Sequence, residues 1–270
     1  MFLSEINVYP IKSLAGVALS EALVEERGLQ FDRRWMLVDK NGLQITQRDF
    51  PRLAIVSVKT ETEFLRVEAN GMNVLKIRFA PAVNEKITVQ IWQDACEALV
   101  YEKAVNDWFS EYLKIDCRLV LMPNASRRSI EAKYQVRKTD IVSFADAHPF
   151  LLIGESSLAD LNSRLEKIVP MNRFRPTFVV KNSDAFAEDN WKQIKIGESV
   201  FYVVKPCARC VLTTIDQTRG EFDDREPLQT LARYRTVHLN GKNKVIFGQY
   251  LIAENSSGEV RVGDPVQVLK

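Results

Sequence analysis

The chain has 270 residues, of which 46% are hydrophobic and 27% charged, the balance of an ordinary globular protein rather than a disordered or fibrous one. This length favours two closely packed domains. A formal net charge of +2 is too small to predict a nucleic-acid surface, and no apolar run is long enough to span a bilayer. The N-terminus enters an apparent strand directly, without the basic region and apolar segment of a signal peptide. We therefore expect a cytoplasmic location, where the four cysteines stay reduced.

The first part of the chain is predicted to form mostly short strands. Asn41-Gly42 predicts a hairpin turn between strands at 35–39 and 43–46, since both residues tolerate the positive φ of such turns. Apolar residues at helical spacing predict a helix at 102–113. Further strands are predicted at 54–58, 64–67, 75–79 and 87–92.

The segment 116–139 is irregular and polar, and it predicts a boundary between domains at 1–120 and 121–270. A helix is predicted at 157–168, with Ser157 and Asp160 resembling a capping box at its start. The predicted fold class is α+β, rich in strands and barrel-like in its second half. The other elements predicted there are strands at 149–153, 177–181, 194–205, 211–216, 244–252 and 259–269, and a short helix at 227–234.

The segment Lys205–Asp216 carries the strongest chemical signal, because Cys207 and Cys210 lie there beside two cations. A thiol near positive charge shifts toward thiolate, the form that ligates soft metals or attacks electrophiles. A thioredoxin-type pair would begin a helix, whereas these cysteines precede a predicted strand. A structural zinc site needs four ligands, and Cys96 and Cys117 are not spaced as a second pair. Two small buried residues are the remaining alternative, against which the neighbouring cations argue.

Cationic residues recur at the ends of predicted strands. Ammonium and guanidinium groups in tight loops can bind phosphate oxygens, although most of the 37 lysines and arginines are solvated surface charges. The two histidines are too few for a multi-histidine metal site, and the chain contains no glycine-rich dinucleotide fingerprint, P-loop or serine nucleophile elbow. The residues concerned are Lys12 beside Ser13, Arg33 beside Arg34, Arg173 near Arg175, and the histidines His148 and His238.

Motifs along nearly the whole chain, weak singly but specific in this order and spacing, resemble the MOSC proteins. These are named after the C-terminal domain of molybdenum cofactor sulfurase and carry an N-terminal β-barrel partner domain. The pattern is most similar to the amidoxime-reducing enzymes, mitochondrial and bacterial. The motifs are Val8–Ser13, Asp32–Trp35, Leu158–Asn162, Phe174–Pro176, Cys207–Thr214, Phe247–Tyr250 and Val262–Val266.

This resemblance implies a MOSC β-barrel domain packed against an N-terminal β-barrel-like domain, with a pyranopterin molybdenum cofactor held between them. It implies that Cys210 is the catalytic residue and the protein thiolate on molybdenum, a soft ligand that suits a metal bound by dithiolene sulfurs. His148 and Arg173 depart from the residues of some relatives. Cofactor contacts are implied for Lys12, Ser13, Arg33, Asp146, His148, Arg173, Arg175 and Ala208.

The function implied is an oxidoreductase that reduces hydroxylamines, amidoximes or N-hydroxylated bases to amines or amidines plus water. Proton-donor candidates are Asp146, His148 and Asp216. The alternatives are a cofactor carrier or sulfur-transfer protein, although no aminotransferase-like domain or pyridoxal phosphate site is expected, and a binding module without catalysis. Because the chain ends after the last MOSC-like strand, with no cysteine beyond Cys210, we expect a separate ferredoxin-, flavodoxin- or cytochrome b5-like electron donor, and neither a nucleic-acid partner nor a membrane span.

Overall fold

The computed structural model describes residues 1–256 and 258–270, and short strands dominate it. The prediction of a strand-rich α+β fold is confirmed. The first half contains β1 (Phe2–Val8), β2 (Val17–Leu19), β3 (Glu21–Glu25), β4 (Gly28–Leu29), β5 (Trp35–Val38), β6 (Ser57–Thr60), β7 (Phe64–Glu68), β8 (Leu75–Arg78), β9 (Lys86–Ile91), β10 (Asp94–Val100), α1 (Lys103–Leu113) and β11 (Arg118–Leu121).

The second half adds ten strands and two short α-helices to the described residues. None of the described helices is long and apolar enough to cross a membrane. The elements are β12 (Phe150–Gly154), α2 (Glu155–Asn162), β13 (Phe178–Lys181), β14 (Gln193–Ile196), β15 (Ser199–Ala208), β16 (Ile215–Asp216), β17 (Glu221–Phe222), α3 (Leu228–Tyr234), β18 (Thr236–Leu239), β19 (Lys242–Ala253), β20 (Glu259–Arg261) and β21 (Val266–Val268).

The largest sheet joins the two ends of the chain. Its strands lie in the order β2-β1-β13-β12-β19-β15-β14-β21, and β18 pairs with β19. The first strand, β1, runs antiparallel to β13, so the N-terminal residues complete a sheet built mostly from the second half. Beneath it, Phe150, Phe178 and Phe201 pack with ring centroids 5.2–5.6 Å apart. At such distances, aromatic pairs contribute stabilising energy in addition to that of the buried apolar area.

A second core lies under the sheet β5-β11-β10-β9 and the meander β6-β7-β8. Helix α1 covers it with the apolar face predicted from the sequence, burying Val105, Trp108 and Phe109. The buried indole of Trp35 donates a hydrogen bond to the Tyr101 hydroxyl at 2.7 Å, because a buried N–H without a partner is costly. These contacts fix β5, whose N-terminal end directly follows Arg33 and Arg34.

Several predicted strands take other forms. Residues 211–216 form a 3-10 helix (Val211–Thr214) before the two-residue β16, because the hydroxyls of Thr213 and Thr214 donate to the carbonyls three residues back at 3.0 and 2.8 Å. The predicted strand 194–205 is divided at Gly197, where φ is +56°, into the antiparallel β14 and β15. The turn after Asp39 forms, but its second arm makes only isolated bridges.

The predicted helix at 157–168 begins earlier and ends earlier than expected. Helix α2 starts at Glu155, so Ser157 lies inside its first turn rather than capping it. The Ser157 hydroxyl instead donates to Glu188 Oε1 at 2.7 Å. The segment predicted to be irregular, 116–139, contains β11, which pairs with β5 and β10. The apolar run of β11 is too short to stand out as a strand from the polar residues around it.

Candidate functional site

A cleft of about 750 Å³, open to solvent, collects residues that are far apart in the sequence. Its walls come from the loops after β1, β4 and β5, the loops that end at β12 and β13, the segment that follows β15, and β19. All but one of the predicted site residues line it. They are Lys12, Ser13, Arg33, Asp146, His148, Arg175, Ala208 and Cys210; Arg48, Arg209 and Tyr250 line it as well.

Cys210 is the accessible thiol of the Cys207/Cys210 pair. It lies just beyond β15 in an extended conformation, partly exposed, whereas Cys207 is buried in an apolar cluster. The guanidinium of Arg209 is 2.9 Å from the Cys207 sulfur and donates to the Phe174 carbonyl at 2.6 Å. No cluster of three or more histidine, cysteine or acidic side chains capable of holding a metal occurs among residues 1–256 and 258–270. Cys210 can therefore supply a single soft ligand to a metal that brings its other ligands with it.

A charged network lies beside Cys210. Asp146 accepts hydrogen bonds from Lys12 Nζ and Arg48 Nη2, each at 2.7 Å, and Lys12 also donates to the Phe144 carbonyl at 2.7 Å. Burial lowers the pKa of Lys12 to about 8, although Asp146 favours its charged form. Burial alone would raise the pKa of Asp146, but Lys12 and Arg48 hold that pKa well below its usual range. Asp146 is therefore an ionised acceptor that orders two cations.

A second set of cations surrounds the ring of Tyr9. The guanidinium carbons of Arg33 and Arg175 lie 4.3 and 4.1 Å from its centroid, within the range of cation–π attraction. Arg33 is paired with the buried Asp32 at 2.6 Å, but Arg175 forms no ion pair with any described residue. Burial lowers the pKa of Arg175 to about 10. A buried guanidinium without a carboxylate leaves this wall of the cleft suited to an anion.

Three of these residues have backbone conformations that are unusual for non-glycine residues. Ser13, Arg33 and Arg175 have φ values of +70°, +50° and +54°. Each such residue costs of order 1 kcal/mol, and strain of this kind clusters at functional sites because the surrounding structure must hold it. The observed strain therefore adds an independent reason to regard the cleft as the functional site.

His148 lies in the cleft wall with neither ring nitrogen hydrogen-bonded. Its ring stacks on Tyr250 at 4.9 Å and meets Tyr134 edge-on at 5.9 Å. Burial lowers the pKa of His148 to about 3, so the imidazole is neutral. Buried polar atoms normally have partners, so these two nitrogens are free to hydrogen-bond to a bound group.

Arg173 is the predicted site residue that the structure does not bring to the cleft. Its guanidinium is buried and contacts the carboxylates of Asp223 at 3.0 Å and Asp216 at 3.4 Å. Conversely, sequence reasoning did not find Arg48, which lies in a loop without a recognisable pattern. Arg209 and Tyr250 lay within the quoted motifs, but no spacing rule marked them as lining residues.

The residues present fit an anionic cofactor that carries a soft metal. One thiol is accessible, the cations Lys12, Arg33 and Arg175 suit phosphate and pterin oxygens, and the orphaned nitrogens of His148 offer hydrogen-bonding positions. This fit is judged from the chemistry of these side-chain atoms. The individual roles of these residues stay predictions.

The comparisons define the class of protein. The sequence model of the MOSC N-terminal beta barrel domain matches residues 1–116, and that of the MOSC domain matches residues 139–267. The chain belongs to the MOSC family, which confirms the resemblance and the predicted MOSC architecture. The predicted domain boundary at residues 120/121 stays a prediction.

Within this family, the chain is similar along nearly its whole length to amidoxime-reducing components. It is 37% identical to mitochondrial amidoxime-reducing component 1 of Mus musculus, covering 98% of this chain and 82% of that protein. It is 36% identical to the Homo sapiens component 1 over the same shares of the two chains. An alignment with the solution structure of a protein from Bordetella bronchiseptica covers 44% of this chain and 89% of that protein's chain, with 20% sequence identity and a TM-score of 0.36.

The comparisons overturn one prediction. The expectation of a cytoplasmic location is wrong, because these relatives are named as mitochondrial proteins and point to mitochondria instead. The prediction rested on an N-terminus without the pattern of a secretory signal peptide, and that pattern does not distinguish the cytoplasm from other compartments.

Proposed function

We propose that the chain binds a pyranopterin molybdenum cofactor in the cleft and uses it to reduce N-hydroxylated compounds to amines or amidines. The observation that carries this proposal is the position of Cys210: an accessible thiol in a cleft lined by five lysine and arginine side chains, in a chain similar to amidoxime-reducing components. When bound, the cofactor supplies the two-electron chemistry and a site for the oxygen of the substrate.

In this proposal the chain's own residues hold and orient the cofactor. Cys210 ligates the metal, because thiolate is a soft ligand that a molybdenum–dithiolene centre accepts. Lys12, Arg33 and Arg175 bind the phosphate and the pterin, where charge-assisted hydrogen bonds are strong. The positive-φ conformation of Ser13 turns the chain so that its backbone N–H and its hydroxyl are available beside Lys12.

In the cofactor-free chain, the electrostatics do not favour the three proton-donor candidates of the sequence analysis. Asp146 is ionised and His148 is neutral at neutral pH, as described above. The Asp216 carboxylate accepts a hydrogen bond from the Thr218 hydroxyl and contacts Arg173. These interactions, of which the Thr218 hydroxyl is the largest, lower the pKa of Asp216 to about 2. Because the cleft is open to solvent, we infer that water delivers the protons.

An external protein is proposed as the electron donor, of the cytochrome b5-, ferredoxin- or flavodoxin-like kind. Among the described residues, no group of three or more histidine, cysteine or acidic side chains could hold a metal centre as an internal electron source. The carrier alternative stays distinguishable, since a carrier would hold the cofactor but pass it to an acceptor without turnover.

The test is turnover by Cys210→Ser, with the protein produced in a host that makes the cofactor and supplied with reduced methyl viologen as an artificial donor. We expect wild type to convert benzamidoxime to benzamidine and Cys210→Ser to lose this activity while staying folded. Cys117→Ser is the matched control, because Cys117 is buried beside Ser110 and does not line the cleft. Equal turnover by wild type and Cys210→Ser would refute the proposal.

A further inference from the structure

The turn at residues 46–50 carries Gln47 and Arg48 toward two parts of the cleft wall. The Thr46 carbonyl accepts a hydrogen bond from the Asp49 N–H at 3.1 Å, and the Thr46 hydroxyl donates to Asp49 Oδ2 at 3.1 Å. Hydrogen bonds between a polar side chain and its near neighbours fix the backbone of a turn. Arg48 belongs to the charged network described above, whereas Gln47 does not line the cleft and has no part in that network.

Gln47 is fully buried, and both ends of its side-chain amide are hydrogen-bonded. Its exposed fraction is 0%, although glutamine is mostly found on protein surfaces. Its Nε2 donates to the Ser13 carbonyl at 2.7 Å, and its Oε1 accepts from Gln217 Nε2 at 3.2 Å. Gln217 follows β16 and also donates to the Ile215 carbonyl at 3.2 Å. Gln217 therefore orients the Gln47 amide so that its NH₂ group faces Ser13.

The hydrogen bond from Gln47 holds one side of a peptide group in the cleft wall. This peptide joins Ser13 to Leu14: Gln47 donates to its carbonyl, and its N–H donates to the Ile11 carbonyl at 3.1 Å. Ser13 has a φ of +70°, a conformation that is disfavoured for a residue with a Cβ and that the surrounding structure must hold. Because the peptide is held on both sides, Ser13 is kept from relaxing to an ordinary backbone conformation.

We propose that Gln47 is a positioning residue, whose amide keeps Ser13 left-handed so that the loop presents the Ser13 N–H and hydroxyl to an anion in the cleft. This inference rests on the proposed function, in which that anion is the phosphate of the cofactor. A loop held in its binding conformation pays less entropy when the anion binds. If Gln47 only satisfied a buried carbonyl, it would stabilise the fold, but its effect on anion binding would not depend on which residue occupies position 13.

The experiment measures the affinity of the full, cofactor-free chain for inorganic phosphate at pH 7 by NMR titration. Gln47→Met, which keeps the length of the side chain but not its hydrogen bonds, is compared with its parent in three backgrounds: wild type, Ser13→Ala and Ser13→Gly. We expect about fivefold weaker binding in the first two, because a left-handed residue with a Cβ relaxes once it is released. In Ser13→Gly the loss should be less than about twofold, since glycine adopts a positive φ without strain.

The matched control is Gln249→Met, which removes another buried glutamine amide. Gln249 Nε2 donates at the same distance, 2.7 Å, but to Asp189 Oδ1, and Gln249 does not line the cleft. This control should lower the urea midpoint and leave the phosphate affinity unchanged. Gln217→Ala removes the donor to Gln47 Oε1 and should weaken phosphate binding about twofold, with the same dependence on residue 13. It takes the place of Gln47→Met in the three backgrounds if Gln47→Met does not fold.

Three results would each overturn the inference: equal phosphate affinities of wild type and Gln47→Met, equal losses in the Ser13→Ala and Ser13→Gly backgrounds, or a wild type that binds no phosphate. The molybdenum content of wild type from a host that makes the cofactor separates this inference from the proposed function. Phosphate binding that depends on Gln47 as expected, in a chain that holds no molybdenum, would refute the proposed function and leave the positioning role standing. Molybdenum near one per chain, with phosphate affinity independent of Gln47, would refute the positioning role alone.

Discussion

Asp146→Asn tests whether the charged network beside Cys210 also stabilises the fold. The Asp146 carboxylate accepts from Lys12 and Arg48 at 2.7 Å and from the Trp92 indole at 3.3 Å. Asparagine keeps one acceptor oxygen and replaces the other with an NH₂ group, which must then face a cation. The substitution therefore removes one charge-assisted hydrogen bond and leaves a largely buried ammonium or guanidinium without its counter-charge.

The size of the effect follows from the exposure of the pair. A hydrogen bond to a charged group contributes about 1.5–3 kcal/mol, but the Asp146 side chain is 39% exposed and solvent screens part of this. We therefore expect the free energy of unfolding to fall by about 1–2 kcal/mol, or roughly 3–6 °C in melting temperature. The loss of Asp146 should also lower the pKa of Lys12 further below about 8, because the carboxylate favours the ammonium.

The assay is urea unfolding of the cofactor-free protein at pH 7, where Asp146 is ionised. The matched control is Asp107→Asn, which breaks a pair with Lys103 at the same distance, 2.7 Å, but on the solvent-exposed face of α1. That control should change little, since exposed ion pairs contribute little. A loss in Asp146→Asn no larger than that in Asp107→Asn would refute the reasoning.

Two further predictions concern the cofactor-free fold. Gly248→Ala should lower the free energy of unfolding by about 2–4 kcal/mol, because the added Cβ would lie 2.6 Å from an Ile153 side-chain carbon. Gly71→Ala is the control: Gly71 also has a positive φ but has no atom within 4 Å of an added Cβ, so the loss should be only about 1 kcal/mol. Similar urea midpoints for the two variants would contradict this prediction. The depressed pKa of His148 stabilises the fold fully above pH 6.5, and this stability is lost as pH falls toward about 3, by about 1.4 kcal/mol per pH unit. His148→Leu should reduce the dependence of the free energy of unfolding on pH between about pH 6 and 4. An unchanged dependence would mean that other titratable groups cause it.

The fold was predictable where its signals were local. Alternating strands and the apolar face of α1 depend on neighbours within a few residues, and the structure has them close to their predicted bounds. The segment after Cys210 was not predictable from strand propensity, because threonine hydroxyls that bond to nearby carbonyls favour a 3-10 turn over a ladder. The pairing of β1 with β13 depends on contacts across most of the chain, which no local pattern encodes.

The site was predictable only as far as its motifs extend. Cys210 and the cations of the strand-ending loops were identified through their residue patterns, and the structure brings them to one cleft. Arg48 was not identified, since its partner Asp146 lies 98 residues away. Arg173 and Arg175 lie two residues apart but have different surroundings, because the backbone turns left-handed at Arg175 and the two guanidinium groups reach different partners.

The most direct test of the central claim is molybdenum per polypeptide, measured by elemental analysis after purification from a host that makes the cofactor. We predict close to one molybdenum per chain in wild type, loss of the metal in Cys210→Ser, and retention in Cys117→Ser. A folded wild-type chain without molybdenum, or Cys210→Ser with as much molybdenum as wild type, would contradict the assignment of Cys210 as the ligand in this cleft.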